Sequence, residues 1–254
     1  DGAHGWGIPM ATDIAFALGV LSILGKRVPP GLKVFLTTLA VVDDMGAVLV
    51  IALFYTENLW VGALAAGMAL LAFLYVLNKL RIPYVQIYLA VGVVVWLAFL
   101  KSGVHPTIAG VLLAFILPSH LGQRLEHLLT PWVSFFIMPV FALANAGVQL
   151  SPAAVGHPVA LGVFAGLVFG KQLGIFSFSW LAIRLKLAEL PSRTKFFHLY
   201  GAACLGGIGF TMSLFIAGLA FDSEQLLDVS KIGIFSASLL SGIWGWIILR
   251  KGTV

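Results

Sequence analysis

The sequence predicts an all-α polytopic membrane protein organised around an inverted repeat with two broken helices. Three observations carry this. Hydrophobic residues make up 60% of the chain and charged residues only 10%, against about 25% charged in soluble domains. Most of nine apolar segments are near the roughly 20 residues that a helix needs to cross a bilayer core of about 30 Å. Two of the nine are interrupted by Gly and Pro at corresponding places.

The segments follow one another with short polar joints. Trp6–Leu24 is entered through Gly5, Gly7 and Pro9 and then reaches Thr12-Asp13. Leu32–Tyr55 carries Asp43-Asp44. Trp60–Leu77 begins with the small-residue run Gly62–Gly67, which lets helices approach closely. Val85–Leu100 comes next, and Val104–Leu117 is short for a span. Leu128–Val148 follows, then Val159–Ile183 with Lys171 inside it. His198–Ala220 contains Gly201, Gly206, Gly207 and Gly209 before Thr211, and Ile232–Leu249 closes the series. Helix is the reading that lipid permits. An open sheet edge would leave backbone groups unsatisfied at several kcal/mol each, and the alternating pattern of barrel strands is absent. No linker or low-complexity tract divides residues 1–254, so a single transmembrane domain of about nine spans is expected.

The loops test this division. One side holds Lys26, Arg27, Lys33, Lys79, Arg81, Arg124, Arg184, Lys186, Arg193, Lys195, Arg250 and Lys251, which is twelve; the other holds Lys101 and Lys231, and Lys171 completes the 15. By the positive-inside rule the C-terminus is cytoplasmic and the first segment starts outside. The net charge of +5 therefore follows the membrane rather than nucleic acid, for which no basic tract is present. Cys204 is the single cysteine, which excludes an internal disulfide. No cleavable signal peptide is visible, and a start at Asp1 leads us to expect that a leading portion is missing.

Four charges stand where lipid makes them costly. Asp13, Asp43, Asp44 and Lys171 all fall inside apolar segments. Lys171 is about ten residues from either end of its segment, roughly 15 Å at 1.5 Å per residue, too deep to snorkel. Each charge costs about 2.5–3.5 kcal/mol to insert. They must face a polar cavity, pair with one another or carry protons. Structural ion pairing accounts for Lys171 as readily as function does. Asp13 reads better as structural than as a direct ligand. Asp43 and Asp44 read as functional: adjacent helical residues point about 100° apart, so one carboxylate can face a cavity while its neighbour meets a partner.

The interruptions add symmetry. Gly7-Ile8-Pro9 before Thr12 parallels Gly207-Ile208-Gly209 before Thr211. The loop charges make the first of these segments run inward and the second outward. Two such spans of opposite direction indicate an inverted repeat with broken helices. Half-helix N-termini inside the membrane carry partial positive charge and C-termini partial negative charge. A carboxylate such as Asp13 suits the former and an ammonium such as Lys171 the latter.

At these residues the chain resembles the NhaA family of sodium/proton antiporters. The stretches that carry the resemblance are Gly7-Ile8-Pro9 through Thr12-Asp13-Ile14-Ala15-Phe16-Ala17-Leu18-Gly19, Val41-Val42-Asp43-Asp44-Met45-Gly46-Ala47, Lys101-Ser102-Gly103-Val104-His105, Phe141 through Ala144-Asn145-Ala146-Gly147-Val148, Gly170-Lys171, and Gly207-Ile208-Gly209-Phe210-Thr211-Met212-Ser213. They occur in family order across nearly the whole chain. The resemblance is to the last nine of the family's twelve spans, one of the missing three being the symmetry mate of the span with Lys171. It implies an inverted-repeat transporter fold in which the two broken helices cross. It also implies Na⁺ at Asp44 and Asp43, with Asp44 the principal ligand and Asp43 a second ligand or the partner of Lys171. Thr12 lies nearby in that arrangement, and Asp13, Lys171 and Thr211 balance the broken helices. Glu126 falls where the family places its cytoplasmic pH response. His105 is linked to the same response, though a polar residue at a span entrance beside Pro106 is the simpler reading.

The function expected is export of Na⁺ or Li⁺ in electrogenic, pH-dependent exchange for protons by alternating access, in the bacterial inner membrane. Hard oxygen ligands suit such cations, and proton and cation compete for the same oxygens. Asp44 and either Asp43 or Lys171 are the expected proton carriers. No cofactor is expected; the partners are the lipid bilayer and a second copy in a homodimer, with no nucleic acid and no enzymatic activity. The rivals are another secondary transporter on a related inverted-repeat fold, an intramembrane aspartyl protease using Asp13 and Asp43, and a non-transporting scaffold. No Gly-x-Gly-Asp motif supports the protease, and three acids with one lysine favour a small cation over an organic anion.

Overall fold

The computed structural model describes residues 2–56, 59–148 and 156–251, and these are helical throughout apart from short connections. In chain order they form a 3₁₀ segment Gly2–Met10, then α1 (Ile14–Leu24), α2 (Pro30–Phe54), α3 (Val61–Lys79), α4 (Val85–Ser102), α5 (Thr107–Ile116), α6 (Ser119–Asn145), α7 (Pro158–Arg184), α8 (Phe196–Leu205), α9 (Phe210–Ala220) and α10 (Glu224–Lys251). Each predicted segment maps onto one helix or one bent pair. Among the described residues, six helices are long and apolar enough to cross a membrane, or up to eight spans if each bent pair counts as one. The short fifth segment becomes the ten-residue α5, about 15 Å long at 1.5 Å per residue and half a bilayer core.

The two bends lie where the sequence interrupts its spans. The 3₁₀ segment and α1 meet at 40°, and α8 and α9 at 44°. Before the first bend, Gly2, Gly5, Gly7 and Pro9 weaken a regular helix, through backbone entropy and a missing donor. At the second, a side chain on Gly207 would place its Cβ 2.6 Å from Leu167 O. Only glycine allows this close approach of the unwound chain to α7.

The chain divides into two compact units, one of Asp1–Ala47 with Phe141–Val254 and one of Val48–Val140. In the first, Ala17, Leu21, Leu36, Ala202, Leu205 and Leu249 form a core shared by α1, α2, α8 and α10. There α10 lies against α7 so closely that a Cβ on Gly233 would stand 2.5 Å from Ala160 O. In the second unit, Leu71, Val95, Phe99 and Ala109 join α3, α4 and α5. Large apolar side chains such as Phe135, Leu143 and Phe178 are 84%, 81% and 76% exposed, an outer surface suited to lipid rather than water.

Two helices widen locally. In α6 a π turn, Val133–Ile137, follows Pro131, whose missing N–H already breaks the regular ladder. In α7 a π turn, Gly166–Gly170, ends immediately before Lys171. Such turns insert one residue into an α-helix and occur often at functional sites.

Candidate functional site

The two interrupted strands of backbone meet within the first unit. Asp13 N–H donates to Ile208 O at 2.6 Å, joining the two breaks directly. The arrangement leaves two half-helix N-termini and two C-termini in a buried setting, and each set meets a charge.

Asp13 serves the N-termini. It is 1% exposed. Its Oδ1 accepts from Phe16 N–H in the first turn of α1 at 3.1 Å. Its Oδ2 accepts from Thr211 N–H at 2.9 Å and from the Thr211 hydroxyl at 2.6 Å, in the first turn of α9. One carboxylate thus caps two helices, matching negative charge to orphan donors and to the positive ends of both dipoles.

Lys171 stands on the opposite side of the breaks. Its ammonium donates to Met10 O at 3.0 Å, to Thr12 Oγ1 at 2.5 Å and to Asp43 Oδ2 at 2.7 Å. An ammonium has three protons, and all three are used. Met10 closes the 3₁₀ segment, so the contact puts the charge on a helix C-terminus. The other C-terminus, at Gly206 O, lies 2.9 Å from Thr12 Oγ1, which is also 2.9 Å from Asp43 Oδ2. A hydroxyl has one proton to give. Thr12 therefore donates to Gly206 or to Asp43, but not both at once.

Asp44 differs from every group above. It follows Asp43 on α2, and its Oδ1 is buried without a hydrogen-bond partner among the described residues. Asp43 is occupied by Lys171 and Thr12, with its side chain 23% exposed against 9% for Lys171. The adjacent carboxylates thus differ: Asp43 is paired, and Asp44 keeps a buried oxygen without a partner among the described residues. An orphan carboxylate oxygen is costly to bury, and a proton or a cation relieves that cost.

The site thus brings together Thr12, Asp13, Asp43, Asp44, Lys171 and Thr211. Glu126 and His105 belong to the Val48–Val140 unit. Glu126 is exposed on α6. His105 lies at the entrance of α5, where its Nδ1 accepts from Thr107 N–H at 3.4 Å and stands 2.9 Å from Thr107 Oγ1, a local capping arrangement. Sequence reasoning missed Ser238, whose Oγ accepts from Gly209 N–H at 3.3 Å and Phe210 N–H at 3.1 Å. It also missed Ser213, which donates to Ile8 O at 2.8 Å. Neither hydroxyl stands out in sequence, because small polar residues recur along these helices.

The family model described as "Na+/H+ antiporter 1" matches residues 1–249. The chain belongs to this family. It is 50% identical over 260 residues to "Na(+)/H(+) antiporter NhaA 1" of Clostridium beijerinckii, covering 97% of this chain and 65% of that protein. It is 53% identical to "Na(+)/H(+) antiporter NhaA" of Nitrobacter hamburgensis, covering 97% and 64%. It is 48% identical to "Na(+)/H(+) antiporter NhaA" of Nitratiruptor sp., covering 98% and 68%. The chain therefore spans about two thirds of the length of these antiporter-family relatives.

Proposed function

We propose that the chain houses the ion site of a sodium/proton antiporter, a transporter and not an enzyme. The observation that carries this reading is the open Oδ1 of Asp44 beside the Asp43–Lys171 pair at 2.7 Å, at the meeting of two broken helices. Asp44 is the primary ligand for Na⁺ or Li⁺ and a proton carrier, and Asp43 contributes the next oxygen. When the cation engages Asp43, Lys171 loses its partner in a buried site and releases a proton. The 2.7 Å pair favours Lys171 over Asp43 as the second carrier. Two protons then enter for each sodium ion exported, one net charge moves inward, and the membrane potential drives the cycle.

The relatives' names support sodium and protons as the exchanged ions. The loop charges support a cytoplasmic C-terminus, and the bacterial inner membrane is the proposed location. Asp13 and Thr211 hold the crossed helices, and a homodimer is the proposed assembly. Rising pH strips protons from the carriers, so activity increases from acid to alkaline conditions. For Glu126, exposed on its helix, a part in that response remains the proposal; His105 acts chiefly as a cap.

The test is sodium-triggered proton flux in sealed vesicles at pH 6.5 and pH 8.5, with the chain in its full-length context and with Asp44→Asn. Flux greater at pH 8.5 and absent in the variant is expected. Undiminished flux in Asp44→Asn overturns the assignment, and silence of the full-length protein overturns antiport itself.

A further inference from the structure

We propose that the cavity between α7, α8 and α10 binds a neutral aromatic molecule carrying a hydroxyl, which the side-chain amide of Gln172 holds. The cavity has a volume of about 250 Å³ and lies between Phe169 and Gln172 of α7, Tyr200 of α8, and Leu240 and Trp244 of α10. All of these belong to the first compact unit.

The group that calls for a ligand is Gln172. It is the buried residue of the stretch Lys171–Arg184, at 7% exposure. Its amide has no hydrogen-bond partner among the described residues. It stands twelve residues before Arg184, roughly 18 Å at 1.5 Å per residue, close to the middle of a bilayer core of about 30 Å. Water is scarce at that depth, and a buried amide left unpaired is costly. Its partner must therefore dissolve in lipid and offer a hydrogen bond.

The lining sets the rest of the chemistry. None of the lining residues is charged, so an ion finds no counter-charge there. Phe169, Tyr200 and Trp244 offer ring faces and edges, which suit an aromatic guest. Phe169, Leu173, Leu240 and Trp244 are exposed on the outer surface, so a guest enters from the bilayer. The volume is just under the roughly 300–1,000 Å³ of drug-sized sites, enough for one substituted ring. An acyl chain fills the space and leaves the amide unpaired. A hydroxyl both donates and accepts and so satisfies either end of that amide.

The cavity adjoins the ion site through the chain. Gln172 follows Lys171 directly, just beyond the π turn Gly166–Gly170. One turn on, Phe176 packs edge to face on Tyr200 at 5.5 Å, tying α7 to α8. A guest held by Gln172 stiffens α7 where it presents Lys171, and would thereby act on ion exchange; this consequence rests on the antiport reading, whereas binding does not.

The test is photolabelling of the full-length protein in liposomes with a diazirine derivative of 2,6-diisopropylphenol, read by peptide mass spectrometry. Labels are expected on Phe169, Leu173, Tyr200, Leu240 or Trp244. Unlabelled 2,6-diisopropylphenol should protect these sites at about three- to tenfold lower membrane concentration than 1,3-diisopropylbenzene, the same shape without the hydroxyl, as one neutral hydrogen bond provides. Gln172→Leu should abolish that difference and leave protection by the hydrocarbon. Its unfolding midpoint in detergent should stay level or rise, because no partner within the protein is lost. Leu240→Trp should fill the cavity and remove the labels. Labels confined to other sites, equal protection by the two probes, a phenol advantage that survives Gln172→Leu, or a lowered midpoint in that variant overturns the proposal. None of these readouts requires ion flux, so a failed antiport reading leaves them interpretable.

Discussion

The two charge centres at the broken helices are built alike and finished differently. Asp13 and Lys171 each make three hydrogen bonds around the unwound backbone. Asp13 meets only amides and a hydroxyl, none of which changes protonation near neutral pH. Lys171 meets a carbonyl, a hydroxyl and a carboxylate, and the last of these has an ionisable neighbour with an open oxygen. One centre is closed, and the other adjoins a carboxylate oxygen without a hydrogen-bond partner among the described residues. Equal numbers of hydrogen bonds are thus compatible with different partners: amides and a hydroxyl on one side, an ionisable carboxylate on the other.

The largest break in this comparison is expected at Asp43. Asp43→Ala leaves the Lys171 ammonium without its counter-charge, and loss of one member of a buried pair costs about 3–5 kcal/mol. Thermal unfolding in detergent should show this, and Asp43→Ala with Lys171→Met should recover much of the loss. Full additivity of the two single losses would show that the pair is not a unit.

Ser238→Ala comes next. It strands the amides of Gly209 and Phe210, at about 1–3 kcal/mol for buried groups. Hydrogen exchange should rise at the start of α9, and no increase would mean that another acceptor takes over.

Asp13→Asn should lower stability by roughly 1–2 kcal/mol, because an amide oxygen still caps but no longer brings charge to two helix dipoles. The same unfolding assay measures it, and an unchanged midpoint would show that the charge is dispensable there. The smallest effect belongs to Thr12→Ser, which keeps the hydroxyl between Lys171, Gly206 and Asp43; a shift within about 0.5 kcal/mol is expected. Thr12→Val, lacking that hydroxyl, should cost about 1–3 kcal/mol in the same measurement. Equal behaviour of Ser and Val would remove the hydroxyl from the account.

Much of this was legible in the sequence because lipid makes charge and glycine conspicuous. Asp13, Asp43-Asp44 and Lys171 could be singled out by the cost of placing them in apolar runs. Gly207 and Pro9 marked the bends because one tolerates close backbone approach and the other lacks a donor. Met10 O and Gly206 O were not legible: a carbonyl belongs to every residue, and only the fold decides which are left without a helical partner. Ser238 was hidden similarly among the serines of α10. The division into two units was hidden too, since no polar or flexible tract marks it and packing alone sets it.

The π turn at Gly166–Gly170 has a consequence for spacing. It adds one residue to the helix just ahead of Lys171, and one residue corresponds to about 100° of rotation. Deleting a single residue from that turn would swing the ammonium off Met10, Thr12 and Asp43 while leaving every side chain at the site chemically intact. Chain length between Pro158 and Lys171 is therefore constrained as tightly as the lysine itself, and insertions or deletions there should be far less tolerated than conservative substitutions.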